Sequence, residues 1–167
     1  MDNPDGARPP GSKPVFGVAV RLLAAKRLTK AQLGKKLRDR GFAPDAVREA
    51  VAECERRRYL DDRTFAQLYV KSILERRPVG PLRLLRDLIR QGVDNDIARD
   101  VLDEIGGDED ERIERALRKL EATRPGDRLD RLARRLQTMG YGAPAIARVV
   151  RKRAREGPEL GALEDLA

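Results

Sequence analysis

A frame of two leucines, a glycine and a bulky apolar residue occurs three times in this chain and limits what it can fold into. Leu33, Leu37, Gly41 and Phe42 form the first copy, Leu84, Leu88, Gly92 and Val93 the second, and Leu132, Leu136, Gly140 and Tyr141 the third. Leucines four residues apart share one face of a helix, and a glycine four residues later marks its end. A further apolar pair follows each frame: Val47 with Val51, Ile97 with Val101, Ile146 with Val150. Gly41, Gly92 and Gly140 recur about every 50 residues, a spacing of helical repeat units. A chain built from one repeated unit presents surfaces, which points first to binding.

The composition agrees. Aromatics are 4% of the 167 residues and tryptophan is absent, while Leu, Ala, Arg and Glu are abundant and favour helices. Lysine and arginine number 36 against 28 acidic residues, a net charge of +8 that suits an anionic partner. Most of this excess lies in residues 1–60, with 14 basic and 7 acidic groups, so basicity is a local property here. A solvated surface would carry the same charge, and charge alone does not separate the two readings. Cys54 is the only cysteine, which excludes an intrachain disulfide and suits a small core residue. No run approaches the roughly 18 apolar residues of a spanning helix. The start also lacks the basic and apolar segments of a secretory signal. A cytoplasmic protein with no membrane association is expected.

Periodicity and capping signals predict nine short helices. Residues 1–13, rich in Pro, Gly and Asp, are expected to be disordered. The first helix covers Val15 to Lys26 with Phe16, Val20, Leu23 and Ala24 on one face. Thr29 caps the second, and Pro44 sits in the first turn of the third. Asp61 caps the fourth, with Leu60 and Phe65 at hydrophobic-staple spacing and Phe65, Leu68, Tyr69 and Ser72 continuing a face. The fifth runs from Pro81 to Gln91, and the sixth from Asp94 to Ile105 with Ile97, Val101 and Leu102 inward. The acidic run Asp108–Glu111 opens the seventh, whose inward residues are Ile113, Ala116, Leu117 and Leu120. The eighth and ninth cover Asp127 to Met139 and Ala143 to Arg155. The expected fold is all-α: three tandem three-helix repeats at 14–58, 59–106 and 107–155 in an elongated, curved array, with an acidic tail at 156–167.

Chemistry is hard to place on this chain. There is no histidine, the commonest general base and metal ligand. One cysteine cannot build a zinc site, and no GxxxxGK[ST] or GxGxxG phosphate loop is present. The adjacent Asp61 and Asp62 read as helix caps rather than as a catalytic dyad. No catalytic residue, metal or cofactor is expected, and no enzymatic activity.

What remains is a basic register. Lys35, Arg86 and Arg134 stand six residues before the three glycines, and Gln32, Arg83 and Arg131 nine before. Residues three apart share a helix face, and this one is turned away from the leucines. Arg128 and Arg135 widen it in the third copy, and Arg151, Lys152, Arg153 and Arg155 follow on the last helix. Pairing with local acids such as Asp87 or Asp130 would make any one of them an ordinary solvated residue. Recurrence at one register makes Lys35, Arg83, Arg86, Arg128, Arg131, Arg134, Arg135, Arg151 and Lys152 the candidate partner-binding or DNA-binding residues.

The segment Tyr59-Leu60-Asp61-Asp62, followed by Phe65-Ala66 and then Gly80, Leu82, Leu85 and Leu88 before Gly92-Val93, resembles the regulatory protein RecX family. The resemblance covers about residues 15–155. It departs at Tyr69, where many members carry tryptophan, and in the Arg76-Arg77-Pro78-Val79 connection, which is shorter in some. Tyr59, Leu60, Asp61, Asp62 and Phe65 of this segment, with the helix-ending Gly41, Gly92 and Gly140 of the repeated frame, are expected to be a structural signature. The resemblance implies tandem three-helix modules and a non-enzymatic regulator of the RecA recombinase. Such a regulator engages the groove of the RecA–DNA filament and damps filament growth, ATP hydrolysis, strand exchange and co-protease activity in recombination and the SOS response. The implied partner is the RecA filament; weak DNA binding and a monomeric state are expected beside it. The residues alone also allow a direct DNA-binding protein built from helix-turn-helix-like modules. Against that, the aromatics are few and most are expected at core positions rather than free to stack on bases.

Overall fold

The computed structural model describes residues 12–105 and 107–156. Among these residues there are nine α-helices and no strand: α1 (Ser12–Ala25), α2 (Lys30–Arg38), α3 (Pro44–Arg56), α4 (Asp62–Arg76), α5 (Pro81–Arg90), α6 (Asn95–Ile105), α7 (Glu109–Thr123), α8 (Leu129–Thr138) and α9 (Ala143–Glu156). The fold is all-α. The expectations for residues 1–11 and for the tail at 157–167 lie outside the described residues. Ser12 and Lys13, expected to be disordered, already belong to α1. No helix among the described residues is long and apolar enough to cross a membrane.

The repeated frame is a helix-ending motif. Gly41, Gly92 and Gly140 have φ of 84°, 86° and 91°, in the left-handed region. One residue on, the N–H of Phe42, Val93 and Tyr141 donates back to the carbonyl of Leu37, Leu88 and Leu136. This is the Schellman pattern, in which the residue after the glycine folds over the second leucine. The frame therefore specifies a helix, its stop and the apolar lid over that stop. All six frame leucines are buried, each contributing about 1.5–3 kcal/mol of transfer free energy.

Contacts divide the chain into two compact units: Met1–Leu68 with Leu88–Ala98, and Tyr69–Asp87 with Arg99–Ala167. Helices α4, α5 and α6 each contribute residues to both. In the first unit α1 packs on α2 and α3. Val15, Ala19, Leu28, Leu33, Leu37, Val47, Ala50, Cys54 and Leu60 form its core. The buried face of α1 differs from the expected one: Val15 and Ala19 are fully buried, Phe16 and Leu23 only partly, and Ala24 is exposed. Small side chains at the centre of a helix contact let the neighbouring backbones approach, while larger ones cover the flanks. In the second unit α7, α8 and α9 pack on one another around Ile113, Ala116, Leu117, Leu132, Leu136, Tyr141 and Ile146.

The inward face of α4 also differs. Asp62, Ala66 and Val70 are its buried residues, whereas Leu68 is exposed and Phe65, Tyr69 and Ser72 are half-buried. The apolar residues of α4 are spread around the helix, so sequence periodicity marks no single face and packing selects the row four residues apart.

Candidate functional site

The two aspartates of the signature segment cap two different helices. The carboxylate of Asp61 caps its own helix: Oδ1 accepts from the N–H of Arg63 at 2.9 Å and of Thr64 at 3.1 Å, and Oδ2 from the Thr64 hydroxyl at 2.7 Å. These bonds, the Thr64 hydroxyl first, hold its carboxyl below the usual range. Asp62 is 5% exposed. Its Oδ1 accepts from the N–H of Lys30, the first residue of α2, at 2.8 Å. Burial pushes the Asp62 carboxyl up, against the Lys30 N–H and side chain. The Lys30 ammonium pairs with Glu55, and that bond raises its own affinity for its proton. The adjacent carboxylates are thus committed to the first turns of α4 and α2.

Around them Leu60 lies in the core, Phe65 is half-buried, and Tyr59 is 53% exposed. Arg58, left-handed at φ 57°, ends α3 and turns the chain there. Most of the aromatics are expected at core positions: Tyr141 is fully buried, Phe16 and Phe42 are partly buried against the first core, and Tyr59 is exposed.

The middle helices of the frames make a recurrent end-to-end junction. In the first unit Thr29 caps α2 by accepting from the Gln32 N–H at 3.2 Å. Its hydroxyl donates at 2.8 Å to the carbonyl of Gln91, at the end of α5. The Gln32 and Gln91 side chains bond at 2.7 Å. A Cβ on Gly92 would come within 2.5 Å of the Ala31 Cβ. In the second unit the N–H groups of Gly80 and Leu82, at the start of α5, donate to the carbonyls of Met139 and Gly140, at the end of α8, at 2.9 and 3.0 Å. A Cβ on Gly140 would lie 2.5 Å from the Arg83 Cβ and 2.7 Å from its backbone nitrogen. Free amides at one helix start meet free carbonyls at another helix end, and opposite ends of two helix dipoles face each other. Thr29 and Gly80 occupy equivalent positions in their frames, so that equivalence is a signal the sequence carries. What it lacks is any sign of which helix end each one meets.

This junction separates the basic candidates. Lys35, Arg86 and Arg134 are all exposed. Lys35 pairs with Asp39 at 2.7 Å, Arg86 donates through Nε to the Leu82 carbonyl at 3.2 Å, and Arg134 forms no ion pair with a described residue. The register three residues earlier is outward only in the third copy. Gln32 and Arg83 are half-buried at the junctions, because the helix starts that carry them meet other helix ends. Arg131 and Arg135 gather on Asp127, at 2.9 and 3.4 Å. These arginines, with Arg124, lower the Asp127 pKa, the Arg131 bond most. Arg128 begins α8 without a side-chain cap and lies 3.5 Å from Asp130. On α9, Arg153 is held by Glu114 at 3.3 Å and Glu121 at 2.6 Å. Arg151, Lys152 and Arg155 are exposed and form no ion pair with a described residue.

Comparison with known proteins agrees with this architecture. The family models for the first and second three-helix domains of RecX match residues 16–54 and 61–102. The chain is 33% identical to the regulatory protein RecX of Treponema pallidum over 136 residues, 81% of this chain and 74% of that protein. It is 33% identical to the RecX of Streptomyces coelicolor over 147 residues, 85% of this chain and 78% of that protein. The crystal structure of RecX from Lactobacillus salivarius superimposes with a TM-score of 0.75 at 20% identity, over 85% of this chain and 96% of that one. With its two matched domains and relatives similar over most of its length, the chain belongs to the RecX family of regulatory proteins.

Proposed function

We propose that this chain regulates the RecA recombinase without catalysis of its own. It binds in the groove of the RecA–DNA filament and lowers filament growth, ATP hydrolysis, strand exchange and co-protease activity. The observation that carries the reading, beside the family, is the exposed cation at the same place in each middle helix: Lys35, Arg86 and Arg134. A filament repeats one protomer, and a chain that repeats one cation can meet equivalent acidic positions on it. The three-repeat division at 14–58, 59–106 and 107–155, a cytoplasmic location and a monomeric state belong to the same proposal. A regulator shifts an equilibrium only by binding one filament state better than another.

The test is DNA-dependent ATP hydrolysis by the cognate RecA, titrated with substoichiometric amounts of this protein. A fall in rate is expected. No change at any ratio, at modest salt, would overturn inhibition, and a rise would keep the partner and reverse the sign.

Direct DNA binding is a second reading, favoured by Arg151, Lys152 and Arg155 on α9, which are exposed and form no ion pair with a described residue. Affinity resting on phosphate contacts collapses with salt. Equal binding to bare and RecA-coated single strands at about 0.15 M salt would favour DNA over the filament.

A further inference from the structure

Helix α7 directs three of its five acidic residues at α9. Asp110, Glu114 and Glu121 all turn toward α9: Asp110 takes both arms of Arg148, at 2.8 and 3.2 Å, while Glu114 and Glu121 share Arg153. Arg112, Arg115 and Lys119 stand on the opposite face, at the three- and four-residue spacing that stacks side chains along a helix. None of these three forms an ion pair with a described residue. The α9 arginines thus engage three of the acids of α7, while Glu111 stays on the side of its cations.

Those three cations line a cleft of about 430 Å3 within the second unit, joined there by Arg76 and Arg77 from the end of α4. The Nε of Arg112 is buried and has no hydrogen-bond partner among the described residues. A buried donor left unpaired is uncommon in a native fold. The rest of the lining is partly apolar: Leu74, Pro78, Ile105 and the ring of Tyr141. Three carboxylates, of Glu75, Asp108 and Glu111, complete it.

We propose that this cleft binds a short acidic segment of a partner protein, one carboxylate seated on Arg112 and Arg115 and a neighbouring apolar side chain against Leu74, Ile105 and Tyr141. Two features favour a peptide over a nucleic acid. The volume suits a few side chains and not a run of nucleotides, and the three lining carboxylates would repel a continuous row of phosphates. A guanidinium fork on a carboxylate, beside an apolar pocket, recognises a carboxylate next to a hydrophobe. None of the residues belongs to the outward register of the middle helices, so the proposal stands apart from the filament reading.

The experiment is fluorescence anisotropy on the full chain with a labelled synthetic peptide, leucine and phenylalanine between runs of Asp and Glu. Its Asn/Gln counterpart and labelled oligothymidylate are the other probes. Arg112→Gln with Arg115→Gln should weaken the acidic peptide by about tenfold or more, and the Asn/Gln peptide should not bind. A second pair, Arg115→Glu with Lys119→Glu, leaves the buried Nε in place and should weaken it as well. Circular dichroism checks that each variant is folded. Failure of the wild-type chain to bind the peptide, or unchanged affinity in both pairs, overturns the proposal. So does equal weakening by Arg151→Gln with Lys152→Gln, which would mark diffuse charge attraction. If the cleft variants lose oligothymidylate and keep the peptide, the site is one for nucleic acid.

Discussion

Asp61 and Asp62 are chain neighbours shifted in opposite directions. The Asp61 carboxyl is held low by its hydrogen bonds, so it stabilises the fold above the ordinary carboxylate range, and that contribution is lost as pH falls through its folded pKa. The Asp62 carboxyl is held high by burial, so ionising it costs stability once pH rises through its folded pKa. Asp62→Asn keeps an oxygen acceptor for the Lys30 N–H and cannot ionise. Its melting temperature should match wild type at low pH and gain on it as pH rises, whereas Asp61→Asn should lose ground over the same titration. Asp61→Ala should cost about 1 kcal/mol, as loss of a helix cap does. The glycines give a second contrast in chemical denaturation. Gly41→Ala meets open space and should cost only the left-handed backbone penalty of about 1–2 kcal/mol. Gly140→Ala adds a clash with the Arg83 backbone that no rotamer relieves, and should cost clearly more, about 3 kcal/mol.

At the scale of elements, the helix-to-helix junction was half legible. The three frames, the Thr29 cap and the Asp61 cap follow from residue spacing, because a helix and its ends are local structures. That Thr29 also closes the end of α5, and Asp62 the start of α2, depends on residues 62 and 32 positions away along the chain. Thr29→Val removes both the α2 cap and the donor to the Gln91 carbonyl. It should lower stability by about 2 kcal/mol in urea titration, while Thr29→Ser stays near wild type. The inward face of α4 differs from the expected one for a related reason: with apolar residues all round a helix, only its neighbours decide which row is buried.

At the scale of the whole molecule, the basic register divides into working parts. Arg86 and Arg134 are exposed, while Arg83 is half-buried beside Gly140. Arg86→Glu with Arg134→Glu is therefore expected to leave melting within about 0.5 kcal/mol of wild type and to weaken the effect on RecA ATP hydrolysis several-fold. A drop in melting temperature instead would make these residues structural.

The sequence by itself determined the helices, their stops and the family, because each rests on contacts within one or two turns of the chain or on a motif read in one line. Tertiary structure alone decided which cations are free. An arginine is available only when no acid holds it, and on α7 Asp110, Glu114 and Glu121 are taken up by Arg148 and Arg153 of α9. Such pairing is a property of distance in space, and no spacing along the chain records it.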